Sequence, residues 1–381
     1  MSKRLIVCAD GTWNSADSAA ADGKGLTNVG RLRDVIAPVG ADGKRQVVRY
    51  HDGVGAKGSW FSRLLSGATG LGLSRNIRGL YTWIVEEYRP GDELFFFGFS
   101  RGAFTVRSLA GLIRNCGILR LEHASRVDEA YALYRHRSEA ESPNGRVAVA
   151  FRQSYSHSLE TQIACIGVWD TVGSLGVPTR GPIGALMRRR YGFHDVRLSR
   201  YVEHAYHALA IDERRKPFAP TIWGVRESDV RNPNRRQVVE QLWFPGVHSN
   251  VGGGYADTAL SNLAFVWLLT RAAGCGLTLA PDVQARFVGD CCGRLYDSMT
   301  WFYRMFGVHL RRIQHPISDP ETREKLHTFE FVAGGAFDRR RTHVPPRYPT
   351  AYDPENLRPF QPAHRDDARL PDPNAHERLV R

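Results

Sequence analysis

Lysine is scarce in this chain: it supplies six of the 52 basic residues, at positions 3, 24, 44, 57, 216 and 325. The formal net charge is nevertheless +13, carried almost wholly by arginines that are scattered apart from short runs at 188–190 and 339–341. A nucleic-acid module concentrates its positive charge on one face or stripe. The spread here reads as a solvated surface, with no nucleic-acid partner and at most a peripheral pull toward an anionic membrane. Long apolar runs are missing as well. No stretch of about 18 apolar residues could span a bilayer, and residues 1–10 hold too short an apolar run for a signal peptide. A cytoplasmic protein is expected, one that would leave the cell only by a route needing no cleaved signal. The six cysteines, at 8, 116, 165, 275, 291 and 292, fit no zinc-site spacing. They read as reduced, mostly structural thiols. A G-x-x-x-x-G-K-[ST] loop is absent, and the glycines of 67–72 lack both the G-x-G-x-x-G order and a preceding strand. No cofactor and no metal are expected, and the sequence is silent on oligomeric state.

What is present is a regular alternation. Residues 4–9, 46–51, 93–99, 162–169 and 238–244 are short apolar runs with the look of buried strands. Helical spacing fills 28–37, 73–88, 101–116 and 260–273, and a polar helical segment covers roughly 124–140. Residues 200–211 also read as helix. Strands alternating with helices predict an α/β fold, a mostly parallel sheet with helices on both faces and inserted cap or loop segments. The catalytic domain is expected over 1–280, with insertions near 120–160 and 174–235. Residues 281–381 would form a helical or irregular extension packed on it, with a Pro/Arg/Asp-rich tail that is partly disordered.

The most informative stretch is Glu93-Leu-Phe-Phe-Phe-Gly98-Phe-Ser100-Arg-Gly102-Ala. An apolar strand runs into Gly-x-Ser-x-Gly and straight on into a helix, the layout of a nucleophile elbow. The flanking glycines let strand and helix backbones approach where a Cβ would clash. A serine hydroxyl is a poor nucleophile at neutral pH. It needs a base, and the base needs a carboxylate to fix its tautomer. Asp170 and His248 follow at the ends of later strands, giving the order Ser…Asp…His of α/β-hydrolases. His51, His204 and His207 are rival bases, and Asp212 and Asp257 rival acids. The Arg101 amide is the expected first oxyanion donor, with Gly11 or Thr12 supplying the second. Asp10, Trp13, Gly252, Gly253 and Tyr255 flank this constellation and are expected to contact substrate. A metal site from Asp10, His51, Asp52 and His248 has no spacing that demands it. Cys8-Ala-Asp10-Gly-Thr12 is close to the Asp-x-Asp-Gly-Thr signature of aspartate-nucleophile phosphatases, but Cys8 stands where the nucleophile is needed.

Four blocks in register carry a resemblance: Asp10-Gly-Thr-Trp-Asn14, Gly98-Phe-Ser-Arg-Gly-Ala103, Trp169-Asp-Thr-Val172 and Gly246-Val-His-Ser-Asn-Val-Gly-Gly-Gly-Tyr255. Over roughly residues 3–275 the chain resembles the α/β-hydrolase family of type VI secretion lipase effectors, first class. The resemblance implies a triad of Ser100, Asp170 and His248 and a phospholipid substrate. The expected activity is hydrolysis of a small-molecule or lipid carboxylic ester. An interaction protein that keeps the fold without catalysis is the alternative. The apolar stretch 59–72 and the basic stretch 184–192 are the candidate lipid-facing caps.

Overall fold

The computed structural model describes residues 2–11, 25–53, 71–136, 138–173, 197–234, 236–319, 322–342 and 351–361. Ten strands occur among them: β1 (Arg4–Ala9), β2 (Gln46–His51), β3 (Glu93–Phe99), β4 (Ile163–Trp169), β5 (Val202–Ala210), β6 (Val225–Arg226), β7 (Val238–Phe244), β8 (Ile317–Ser318), β9 (Lys325–His327) and β10 (Glu330–Val332). Seven of them form one sheet in the order β10-β7-β5-β4-β3-β1-β2, and every pairing in it is parallel. β6, β8 and β9 make a small antiparallel sheet apart from it. The helices of eight or more residues among the described residues are α1 (Asn28–Val35), α2 (Leu71–Glu87), α3 (Arg101–Cys116), α4 (Val127–Arg135), α5 (Arg146–Tyr155), α6 (Ala259–Gly274) and α7 (Gly334–Arg341). None is long and apolar enough to cross a membrane.

The period-two direction of strand side chains sorts the residues into two cores. Leu5 and Val7 of β1 and Phe96 of β3 face Ile77, Leu80 and Ile84 of α2 and Val106 and Leu109 of α3. Ile6 and Cys8 of β1, with Phe95 and Phe97 of β3, face Val29 and Leu32 of α1 and Phe265 and Leu268 of α6. Both faces are therefore covered, which is why these strands read as unbroken apolar runs rather than alternating ones. Helix α1 starts where Thr27 accepts the Gly30 amide at 3.1 Å, a standard cap.

Two departures from the sequence reading matter for the site. Residues 200–211 read as helix, yet 202–210 are β5, paired in parallel between β4 and β7. Its run Val-Glu-His-Ala-Tyr-His-Ala-Leu-Ala has helix-forming composition, and burial at the middle of a sheet overrides that preference. The segment after 280 does more than pack on the domain. It supplies β10 to the sheet edge beside β7, and Ile313, Ala336, Phe337 and Leu357 close a third core with Leu209, Ile211 and Trp243.

Candidate active site

The site lies at the carboxyl ends of the parallel strands, where polar loop residues converge in open α/β sheets. Ser100 follows β3 and precedes α3. Its backbone is left-handed, with φ 58° and ψ −119°, a conformation that is strained for any residue with a Cβ. The two elbow glycines make that turn feasible. A Cβ on Gly98 would lie 2.6 Å from the Gly102 carbonyl oxygen and 2.7 Å from the Ala103 nitrogen. A Cβ on Gly102 would lie 2.0 Å from the Ala9 oxygen. Helix α3 thus starts directly against the end of β1. Its first intrahelical bond runs from the Phe104 amide to the Ser100 oxygen at 3.2 Å, so the amides of 101–103 precede the ladder and point toward the serine end. Burial pulls the Arg101 guanidinium down to about 10.

Asp170 follows β4, next to the serine strand; the Ser100 amide donates to the Trp169 oxygen at 3.0 Å. The Asp170 side chain is fully buried and its φ is 39°. Its Oδ2 accepts from His248 Nδ1 at 2.5 Å, and the Ala210 amide donates to Oδ1 at 3.0 Å. The guanidinium of Arg311 also grips both oxygens, Nη1 to Oδ1 at 2.6 Å and Nη2 to Oδ2 at 2.9 Å. Burial alone would push this carboxyl up, but the Arg311 charge and the His248 bond outweigh it and hold it well below the usual carboxylate range.

His248 sits at the start of a short helix, His248–Gly252, after β7. Its ring packs on Phe99, 4.5 Å between centroids, and edge-on to Phe218 at 4.9 Å, so it lies beside the residue that precedes Ser100. With Nδ1 donating to Asp170, Nε2 is the basic nitrogen. Burial lowers the His248 pKa below its ordinary value, against the raising influence of Asp170. The His248 amide donates to Glu213 Oε2 at 3.2 Å. Glu213 is held by Arg215 at 2.8 and 2.9 Å. Burial opposes its ionisation, but the bond and charge of Arg215 bring it down to about 2.

The remaining residues singled out in the sequence fall as follows. Gly11 runs against the elbow, since a Cβ there would meet the Ser100 Cβ at 3.2 Å, and its amide donates to Asp10 Oδ1 at 2.6 Å. Asp10 Oδ2 accepts from Thr27 Oγ1 at 2.5 Å and Tyr50 Oη at 2.7 Å; burial pushes this carboxyl up to about 6 despite those bonds. All its described contacts are internal. Thr12 and Trp13 lie outside the described residues, as do 59–70 and 184–192 of the candidate caps. The space that Gly252 and Gly253 leave is occupied by the chain itself. A Cβ on Gly252 would overlap the Phe99 ring at 2.0 Å, and one on Gly253, at φ 83°, would lie 2.7 Å from the Asn28 nitrogen. Tyr255 stacks on Tyr296, with centroids 3.9 Å apart.

Among the rival bases, His207 is fully buried in β5. The Thr171 amide donates to its Nε2 at 3.1 Å, and its Nδ1 bonds Gln241 Oε1 at 3.1 Å. Burial takes it down to about 3, so it stays neutral. His51 ends the edge strand β2, and His204 lies near the start of β5, at the other end of the sheet. Of the rival acids, Asp212 accepts the Gly246 amide at 2.6 Å and Asp257 the Ala259 amide at 3.0 Å. Cys8 is buried in β1, where desolvation pushes its thiol well above the normal range. Two members of the site, Arg311 and Glu213, were missed in the sequence. Glu213 adjoins Asp212, one of the rival acids. Arg311 has no motif around it, and only its pairing in space marks it.

Comparison with known proteins agrees with the four sequence blocks. The family described as "T6SS, Phospholipase effector Tle1-like, catalytic domain" matches residues 3–271, and the chain belongs to that family. The uncharacterized protein YEL023C of Saccharomyces cerevisiae is 29% identical over 234 residues, covering 57% of this chain and 32% of its own length. A solved structure of an uncharacterized protein from Pseudomonas aeruginosa is 17% identical with a TM-score of 0.46, over 76% of this chain and 49% of that one. The structure of the Tle1 effector bound to the VgrG spike from the type 6 secretion system is 18% identical with a TM-score of 0.32, over 67% of this chain and 51% of that one. The chain therefore spans between a third and about half the length of these relatives.

Proposed function

We propose that this member of the Tle1-like catalytic-domain family is a serine hydrolase that cleaves carboxylic esters of lipids, phospholipids above all. In this reading His248 Nε2 takes the Ser100 proton as Oγ attacks the acyl carbon. The imidazolium then protonates the leaving alcohol, and water, deprotonated by His248, releases the acid and restores Ser100. Asp170 fixes the imidazole tautomer and stabilises the imidazolium. The Arg101 amide, ahead of the α3 ladder, is one oxyanion donor. Gly11 or Thr12 is the second, and Gly11 would have to release its bond to Asp10 to serve.

The observation that carries the proposal is the 2.5 Å contact between His248 Nδ1 and a buried, ionised Asp170, with the His248 ring packed on Phe99, the residue before a serine on a left-handed strand-to-helix turn. A carboxylate, a histidine and a strained serine at the carboxyl ends of β4, β7 and β3 of one parallel sheet are the components of acyl transfer. The family description favours phospholipid over a simple ester, and so does a partly desolvated Arg101 cation next to the nucleophile, which suits an anionic head group. Delivery through a type VI apparatus goes with the same reading.

The test is labelling with a fluorophosphonate probe, followed by a panel of phosphatidyl and neutral esters. Labelling of the wild type that is abolished in Ser100→Ala, with turnover of phosphatidyl esters, is the expected result. A folded wild type that never labels would reject the hydrolase and favour the interaction protein. Labelling with turnover of neutral esters alone would reject the phospholipid substrate.

A further inference from the structure

We propose that Arg311 is a positioning residue for the catalytic acid, so that the segment following the family-matched region completes the active site. The inference rests on the serine-hydrolase reading above and adds a fourth member to it. The matched region ends at residue 271, whereas the bidentate partner of Asp170 arrives from 141 residues further along the chain than Asp170 itself.

The geometry is that of a clamp. Both Arg311 terminal nitrogens contact Asp170, and each makes a second bond to a backbone carbonyl, Nη1 to Ala210 at 2.8 Å and Nη2 to Phe218 at 2.6 Å. The planar fork therefore locks the carboxylate to the end of β5 and to the loop whose Phe218 ring contacts His248. The backbone around Arg311 is tied down in turn. The His309 amide donates to the Arg214 oxygen at 2.9 Å, Val308 bridges Arg215, and Ile313 is buried in the third core. Both side chains of the pair are fully buried. A surface ion pair would add little, but a fully desolvated carboxylate left unpaired is strongly disfavoured.

A carboxylate in a triad needs only one of its oxygens for histidine. In Asp170 both oxygens are also held by a cation, which fixes the carboxylate plane and offsets its charge. Two consequences follow. The acid stays ionised in a dry site. Its pull on the imidazolium is also weakened, so the base stays neutral further into the acid range. The other charged or titratable groups facing the pair are Glu213 and Arg215 on the His248 side, His207 with Arg107 behind Asp170, and His309 on the Arg311 segment. None of these bonds the Asp170 carboxylate among the described contacts.

The test compares Arg311→Met, Arg311→Lys and Asp170→Asn/Arg311→Met with wild type in the full chain. Stability is followed alongside kcat/KM for ester hydrolysis from pH 4 to 9. Arg311→Met is expected to lower kcat/KM by about 10- to 100-fold, the scale for groups that orient a catalytic residue, and to move the acid limb up by about one pH unit. Arg311→Lys keeps the charge without the fork, so it should leave the limb in place and recover part of the rate. The double variant should be more stable than Arg311→Met alone, because no charge is left buried without a partner. A folded Arg311→Met with kcat/KM within twofold of wild type and an unmoved limb overturns the proposal. So does a stability loss that is the same with and without the Asp170 carboxylate. If Arg311→Met fails to fold, the Lys variant decides: a partial loss of rate with the fold and the acid limb intact supports positioning by the fork, and no loss rejects it. Failure of the hydrolase reading looks different, because the wild type itself then neither labels nor turns over ester.

Discussion

Replacing Gly102 by alanine tests whether the elbow is built as described. The new Cβ would lie 2.0 Å from the Ala9 oxygen, 2.5 Å from the Ala9 carbonyl carbon and 2.6 Å from the Asp10 oxygen. All three are backbone atoms of a strand end hydrogen-bonded on both sides, so none can rotate away. A carbon–oxygen contact needs about 3.3 Å, and the first turn of α3 would have to retreat by roughly 1.3 Å. Overpacking of this kind costs about 1–3 kcal/mol, and the immobility of the backbone puts the expected loss at the upper end of that range. The shift also carries Ser100 with it, and a misplacement near 1 Å costs about 100-fold in rate. The same substitution at Gly79 is the control. Gly79 lies in the middle of α2 with nothing within 4 Å of its added Cβ, so alanine there should stabilise by about 0.5–1 kcal/mol through helix propensity alone. Urea unfolding measures both, with kcat/KM beside it. Gly102→Ala within about 0.5 kcal/mol of wild type and fully active would refute the close approach of α3 to β1.

Two further predictions concern pH. Burial lowers the His248 pKa, and a base acts in its neutral form, so kcat/KM on an uncharged ester should hold as pH falls through the ordinary histidine value of about 6.5 and decline only below it; an acid limb at pH 7 or above would contradict the desolvated imidazole. Asp10 has its folded pKa raised to about 6 by burial, above the unfolded value of about 3.9. Its contribution is then fully present below pH 4 and lost as pH rises through 6, a fall of roughly 3 kcal/mol. Asp10→Asn should flatten wild-type stability over that window in urea titrations, and an identical pH slope in both proteins would show that Asp10 ionises freely.

The parts of this architecture that were legible in the sequence are those whose cause is local. β1, β3, β4 and β7 announced themselves because both faces of the sheet are covered there, and α3 because the elbow motif fixes its first residue. β5 was hidden because its preference is set by neighbours. Val202 is the only β-branched residue of its nine, and only the company of β4 and β7 makes it a strand. The glycines after His248 were legible as demanding space, but not as to what fills it. Phe99, 153 positions away from Gly252 in sequence, turns out to be the occupant. Arg311 was illegible for the deepest reason. One arginine of an Arg-Arg pair in a basic chain looks like solvated surface, and its burial is decided by a carboxylate whose own burial depends on the fold.

Two of the six non-glycine residues with positive φ among the described residues belong to the candidate site. Ser100 and Asp170, at the ends of neighbouring strands, both hold positive φ without being glycine, each at a cost of about 1–3 kcal/mol. Each is pinned by a backbone bond that extends the sheet ladder past its last strand residue, Ser100 to Trp169 at 3.0 Å and Asp170 to Ala208 at 2.7 Å. The strain at one residue is thus opposed by the sheet beneath both. Ser100 bonds the strand that ends in Asp170, and Asp170 bonds the strand that leads to Ala210, whose oxygen Arg311 holds. Ser100, Asp170 and Arg311 therefore share one run of contacts across the ends of β3, β4 and β5. The sheet can hold such a strained pair because its two buried faces leave the strand ends little freedom to relax.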